Sequence, residues 1–201
     1  MQRSLPDFCD AVQALQFPIR YLHLNHFQGE FIMGPVCTVE FGLKSEVEHS
    51  KSIHYSEQIS INTIPVISGP LSNSAFTGGM IASYLDRPLV VNGNIRDINE
   101  ISCTIGYQRL AGFGNGKYYN LKQVGYPMIV HSNGNSFEVT NDDIVCMDKH
   151  GAIFIRKQDM GSVLEYINKR KFIDDKIAWL IRLGMPLHIA LQERNKIKSK
   201  L

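Results

Sequence analysis

Cysteine is scarce in this chain and scattered. Cys9, Cys37, Cys103 and Cys146 lie far apart, and no Cys-x-x-Cys pair occurs. That spacing argues against a disulfide scaffold or a cysteine-built zinc site, and it suits a reducing compartment, the cytoplasm. No apolar run approaches the roughly 18 residues that a membrane span requires. The first residues carry Arg3 but then Pro6, Asp7 and Asp10, which is not the pattern of a secretory signal. Internal repeats and low-complexity blocks are missing as well. So is an excess of either charge. The 21 basic and 19 acidic side chains leave a net charge of +2, too balanced for nucleic acid or an anionic membrane as the main partner. What is present suits a folded globule. With 44% hydrophobic and 20% charged residues, 201 residues are expected to form one large domain, or at most two small ones, with a real core.

Along the chain, strand and helix patterns alternate in an α/β manner. Ser4-Leu5-Pro6-Asp7 marks a helix start, and Leu5, Phe8, Val12 and Leu15 recur on one face. Phe31–Phe41 reads as a strand with a bend at Gly34-Pro35. Residues 42–58 are polar and read as a loop with a short helix. Ile64-Pro65-Val66-Ile67 is the next strand. Gly69–Ser74 then opens as a loop into a helix from about Thr77 to Leu85. Gln108–Phe113 reads as a further strand. From Pro127 to Ile155 four strands are expected, with turns at Asn133-Gly134 and Lys149-His150-Gly151. The rest is helical. Met160, Val163, Leu164 and Ile167 share one face, Ile173, Ile177, Leu180 and Ile181 another, and Gly184 and Pro186 close that second helix. Lys196, Lys198 and Lys200 mark a solvated tail.

Two segments carry charge chemistry. Leu89, Val90 and Val91 form a short apolar run, as in a strand buried on both faces. Asn92-Gly93-Asn94 breaks it, and Arg96, Asp97 and Glu100 follow at once. Charged groups just past the carboxyl end of a buried strand stand where open α/β sheets place ligands. The arginine fork suits a carboxylate or enolate, and the aspartate offers oxygens to a hard cation. By pattern alone the segment is also an ordinary Asn-Gly turn followed by a surface ion pair. Gly78 and Gly79 lie at a helix start, where free amides favour an anion. They would equally let that helix pack close. Gly112–Lys117 resembles a phosphate-binding loop, but Tyr118 stands where the magnesium-ligating Ser or Thr belongs. His23 and His26, and His49 and His54, lack a convincing third ligand, so no zinc site is expected on them. No role is assigned to His131 or His150.

The order of these motifs resembles the RraA-like family (regulator of ribonuclease activity A), which includes the class II 4-hydroxy-4-methyl-2-oxoglutarate aldolases. The match rests on VVNGNIRDINE (residues 90–100), on FIMGPVCTVEF (31–41), on Gly78-Gly79-Met80-Ile81-Ala82, and on Asp142–Asp148 followed by Gly151-Ala152-Ile153. It covers most of residues 4–185, with residues 186–201 as a helical tail. The resemblance implies a swivelling-type α/β/α fold of mixed sheets with C-terminal helices, in one domain over residues 1–201. It also implies assembly as a homotrimeric ring, or a hexamer of two rings, with sites between subunits.

The same resemblance implies a lyase acting on a 2-oxo acid, of the pyruvate aldolase or oxaloacetate decarboxylase type. Asp97 would hold Mg2+ or Mn2+, and Arg96 would meet the substrate's carboxylate or keto oxygen. Gly79, Met80 and Ile81 would offer backbone N–H groups. Glu100 would position Arg96 or Asp97, or be a surface acid. Asp174 or Asp175 would stand for the glutamate that a neighbouring subunit contributes, although the pair also reads as solvated acids at a helix start. One departure concerns catalysis. The aldolases carry a proton-transfer acid about twenty residues before Arg-Asp, and direct counting lands on Ala75. The family's second role, binding and masking a ribonuclease without catalysis, is the alternative.

Overall fold

The structure is a computed structural model that describes residues 3–47, 54–70, 73–114 and 118–198. His49, Leu71-Ser72, Asn115-Gly116-Lys117 and Lys200, all named above, lie outside the described residues. In chain order the elements are α1 (Leu5–Ala14), β1 (Tyr21–Leu22), β2 (His26–Gln28), β3 (Ile32–Leu43), α2 (Tyr55–Gln58), β4 (Ile64–Ser68) and β5 (Ser74–Thr77). Then come α3 (Gly79–Leu85), β6 (Leu89–Asn92), β7 (Asn94–Ile95), a 3-10 turn (Ile98–Glu100), β8 (Ile105–Tyr107), β9 (Arg109–Leu110) and β10 (Phe113–Gly114). The chain continues through β11 (Tyr119–Val124), β12 (Met128–Ser132), β13 (Asn135–Val139), β14 (Asp143–Asp148), β15 (Gly151–Arg156), α4 (Met160–Arg182) and α5 (Leu187–Lys198).

The centre is a parallel set, β3-β4-β6-β8. Antiparallel strands extend it, giving the order β1-β15-β14-β3-β4-β6-β8-β2, with β11 also paired to β3. A smaller parallel sheet has the order β10-β5-β7-β9. The fold is thus a mixed α/β domain with a curled sheet and C-terminal helices.

Strand β6 shows why its apolar run has no polar face. Leu89 and Val91 pack in one cluster with Ala82 and Leu85 of α3, while Val90 points the other way, to Val130 and Val139 of the β12–β13 hairpin. Each is fully buried, a contribution of about 1.5–3 kcal/mol per side chain. A third cluster joins α1 and α4 to β14 and β15 through Phe8, Val163 and Ile153. Helix α1 starts as its sequence indicates: the Asp7 carboxylate accepts from the Ser4 N–H at 3.0 Å and from its hydroxyl at 2.9 Å.

Four expectations need correction. Gln108–Phe113 is not one strand but gives two short ones, β9 and β10, at opposite edges of the smaller sheet. Gly34-Pro35 makes no bend; β3 runs unbroken because it changes partner there, from β14 to β4. Ser74–Thr77 is a strand, so the helix begins at Gly79, not Thr77. The two late helical faces belong to one helix, α4, with no Pro or Gly between Gly161 and Gly184 to break it. Its first face packs on α1, and its second, Ile173 and Ile177, packs on Ala190 of α5. Asp174 and Asp175 are therefore mid-helix rather than at a helix start.

Candidate functional site

The chain leaves β6 at Asn92 and enters the smaller sheet at Asn94. Gly93, between them, is required by close approach: a Cβ there would sit 2.2 Å from Cε2 of the Phe76 ring. That ring stacks on Phe41 at 5.3 Å. The Arg96 N–H donates to the Thr77 carbonyl at 3.2 Å, which ties the segment to β5 just before α3. Asp97 follows in the left-handed region, φ +57°, a conformation that aspartate tolerates better than most residues but at a cost of order 1 kcal/mol. The Glu100 N–H then donates to the Asp97 carbonyl at 2.9 Å to close the turn. Ile101, buried, and Ile98, partly so, anchor this turn in the core.

The result is a compact charged lip. Arg96 Nε lies 3.0 Å from Asp97 Oδ2, and the two side chains stay 49% and 43% exposed, available to a ligand. The lip rests on the glycines at the start of α3. A Cβ at Gly78 would be 3.0 Å from Arg96 Cγ and 3.2 Å from Asp97 Oδ2; one at Gly79 would be 2.4 Å from Glu100 Cβ. The Ser83 hydroxyl, on α3, donates to the Glu100 carbonyl at 3.2 Å. The two segments singled out in the sequence, seventeen residues apart from Gly79 to Arg96, are thus in contact.

Between them lies a small cleft of about 120 Å3, lined by Thr77, Gly78, Met80, Ile81, Arg96 and Asp97 among others. Gly79 is buried beneath Glu100 and is not part of the wall. The first amides of α3 have no acceptor inside the helix. The Glu100 carboxylate already lies beside that positive helix end, where it is favourably placed. Ala75, at the position counted for the aldolase acid, lines the same cleft. Asp174 is engaged elsewhere, with Arg194 at 2.9 Å and Arg170 at 3.6 Å. Asp175 is exposed on α4, which packs against α1 and α5.

Among the lining residues that the sequence did not assign to this site are His54 and Tyr55. They follow a polar segment with no periodicity, and only packing brings them here. Tyr55 meets the Phe41 ring edge-on at 5.5 Å, and its hydroxyl donates to Thr77 Oγ1 at 3.1 Å. Burial pushes the Tyr55 phenol up to about 12, so it stays protonated at neutral pH. His54 caps α2: the Ser56 N–H donates to its Nδ1 at 3.3 Å, which leaves Nε2 as the other exchangeable ring position.

A magnesium-type cation keeps several waters and takes one or two carboxylates plus substrate oxygens. Asp97, with Glu100 one turn on, offers that kind of donor set. Among the described residues, no three His, Cys, Asp or Glu side chains form a denser ligand cluster.

A family model described as RraA-like, Aldolase/RraA, matches residues 5–154. Among solved structures, one reported with novel cellulases from gut-associated microbes superposes with a TM-score of 0.76 at 13% identity, over 87% of this chain and 83% of that one. An uncharacterized protein from Pseudomonas syringae pv. tomato gives 0.70 at 17% identity, over 93% and 92%. Streptomyces coelicolor RraAS2, described as an unusual member of the RNase ES inhibitor RraA protein family, gives 0.66 at 19%, over 92% of each chain. At these identities the likeness concerns the fold. No curated protein matches.

Proposed function

The chain belongs to the RraA-like family, and from that membership we propose that it is a divalent-metal-dependent lyase acting on a 2-oxo acid, of the aldolase or oxaloacetate decarboxylase type. One observation carries this reading. Arg96 and Asp97 stand together, 3.0 Å apart and half exposed, on a cleft floored by the start of α3, where Gly78 lies close under both side chains and the Gly79 beneath has no room for a Cβ against Glu100. A surface ion pair would need no such floor.

In this reading Asp97 holds Mg2+ or Mn2+, which when bound supplies Lewis-acid polarisation of the keto group. The Arg96 fork meets the substrate's carboxylate or keto oxygen and sets positive charge where the oxyanion grows. The Met80 and Ile81 amides orient the substrate's carboxylate at the start of α3. Glu100 positions the turn that carries Arg96 and Asp97. Cleaving the carbon–carbon bond leaves its electron pair on the substrate as an enolate, which then takes a proton. With alanine at position 75, His54 Nε2 is the group proposed to deliver it. The reading also includes a homotrimeric ring, in which Asp175 of a neighbouring copy completes the site. The exposed Met80, Leu110 and Phe113 near the cleft suit burial by such a copy.

Pyruvate release from oxaloacetate and from hydroxylated oxo-diacids, with magnesium, manganese or chelator, tests the proposal. Turnover should require metal and vanish in Asp97→Ala. It should fall roughly a hundredfold or more in Arg96→Ala and drop in His54→Gln with the fold intact. Folded protein without turnover under any of these conditions would count against the lyase. A second reading then takes over, a non-catalytic protein that masks a ribonuclease, the role named for the RraAS2 family. Alanine at position 75 is the observation in its favour.

A further inference from the structure

A second cavity, of about 400 Å3, opens past the carboxyl ends of three adjacent parallel strands. Gly69 and Pro70 follow β4, Asn92 ends β6, and Gln108 and Arg109 follow β8. All three strands run on into the smaller sheet, as β5, β7 and β9, so the cavity lies at the step between the two sheets, past the carboxyl ends where α/β sheets usually place their ligands. This cavity shares no lining residue with the Arg96 cleft.

Its floor is held by amides spent on one another. Asn92, 6% exposed, donates from Nδ2 to Ser68 Oγ and to the His131 carbonyl, each at 3.2 Å. Gln108 Nε2 donates to Asn92 Oδ1 at 3.3 Å and to the His23 carbonyl at 2.7 Å. The Ser132 hydroxyl accepts from the His23 N–H at 2.9 Å. These bonds tie the segment after β1, the end of β6, the residue after β8 and the β12–β13 hairpin into one frame.

Around that frame stand His23, His131 and Arg109. Among the described residues none of these three side chains has a hydrogen bond or ion pair, and no Asp or Glu lines the cavity. A concave wall rich in donors, with positive charge left uncompensated, attracts an anion. The guanidinium fork matches the paired oxygens of a carboxylate or phosphate. The amides of Asn25 and Asn133 offer the mixed donors and acceptors that hydroxyl groups need. A cavity of this size holds a metabolite rather than a bare ion. We propose that it is a second binding site, for a small hydroxylated molecule bearing a carboxylate or a phosphate. This inference does not depend on the lyase reading.

Calorimetric titration of the full chain with ribose 5-phosphate and with gluconate tests it, with inorganic phosphate and glucose as the separated halves of the ligand. At least one hydroxylated anion should bind saturably, and more tightly than phosphate or glucose alone; which of the two binds tells phosphate from carboxylate. Arg109→Gln should weaken that binding about tenfold or more, while Arg96→Gln leaves it unchanged. Arg109 is exposed, so its replacement spares the core, and His131→Gln repeats the readout from a different element. The proposal is overturned if neither anion saturates by about 10 mM. It is overturned equally if glucose binds as well as they do, or if Arg96→Gln abolishes binding that Arg109→Gln leaves intact.

Discussion

Tyr55 ties the cleft to the stability of the fold. Its phenol titrates near 12 in the folded protein because burial penalises the phenolate, while an unfolded tyrosine titrates near 10. The folded value is the higher one, so this contribution is complete below pH 10 and is lost as pH rises from 10 to 12. Over that window about 2–3 kcal/mol should disappear. Denaturant melts at stepped pH should show the loss, and Tyr55→Phe should flatten it at the expense of the hydroxyl's bond to Thr77. Gly79 sets two effects against each other. An alanine in a helix gains up to ~1 kcal/mol over glycine, but here its Cβ would stand 2.4 Å from that of Glu100. Both backbones are pinned, so overpacking, roughly 1–3 kcal/mol, should win. Gly79→Ala should lower Tm and disturb the Arg96–Asp97 turn; an unchanged or raised Tm would show that the turn yields freely.

Among the elements, β14 carries the structural acids. Asp143, fully buried, takes both Arg20 nitrogens at 2.8 Å and the Thr140 N–H at 2.9 Å. At the strand's other end Asp148 accepts from the Leu5 N–H at 2.9 Å, at the start of α1, and from the His150 N–H at 2.8 Å. Asp143 and Asp148 therefore join elements, and none of the acids of the Asp142–Asp148 motif is in the lining of the Arg96 cleft. Removing one partner of a buried ion pair strands the other. Asp143→Ala should cost about 3–5 kcal/mol, read as a lower denaturant midpoint, and a loss under 1 kcal/mol would mean that water reaches Arg20.

Assembly concerns the whole molecule. For the proposed ring with sites between copies, sedimentation should give three times, or six times, the 22.7 kDa of one chain. Asp97→Ala and Asp175→Ala chains, each inactive alone, should regain part of the activity when reassociated together, because a mixed ring contains some intact sites. A monomeric mass, or no recovery on mixing, would remove the shared-site part of the reading. All four cysteines are free thiols, and no helix among the described residues is long and apolar enough to cross a membrane.

The apolar run at 89–91, the capped start of α1 and the hairpin at Asn133-Gly134 could be read from the chain because each depends on neighbours a few residues away. The same holds for the charged turn: Arg96, Asp97 and Glu100 are spaced by local backbone geometry. Contacts between distant segments could not be read in this way. His54 and Tyr55 reach the cleft through the Phe41 ring and Thr77. Gly93 is needed because of a phenyl ring seventeen residues earlier, not because of its own backbone angles. Helix α4 looked like two helices because it serves two cores, and sequence periodicity records the change of face without recording the unbroken backbone. The second cavity is assembled from five separate segments, and only one of them, Asn92–Asn94, lies in a motif. Local hydrogen bonding and side-chain period are written residue by residue, whereas convergence depends on how the whole sheet curls.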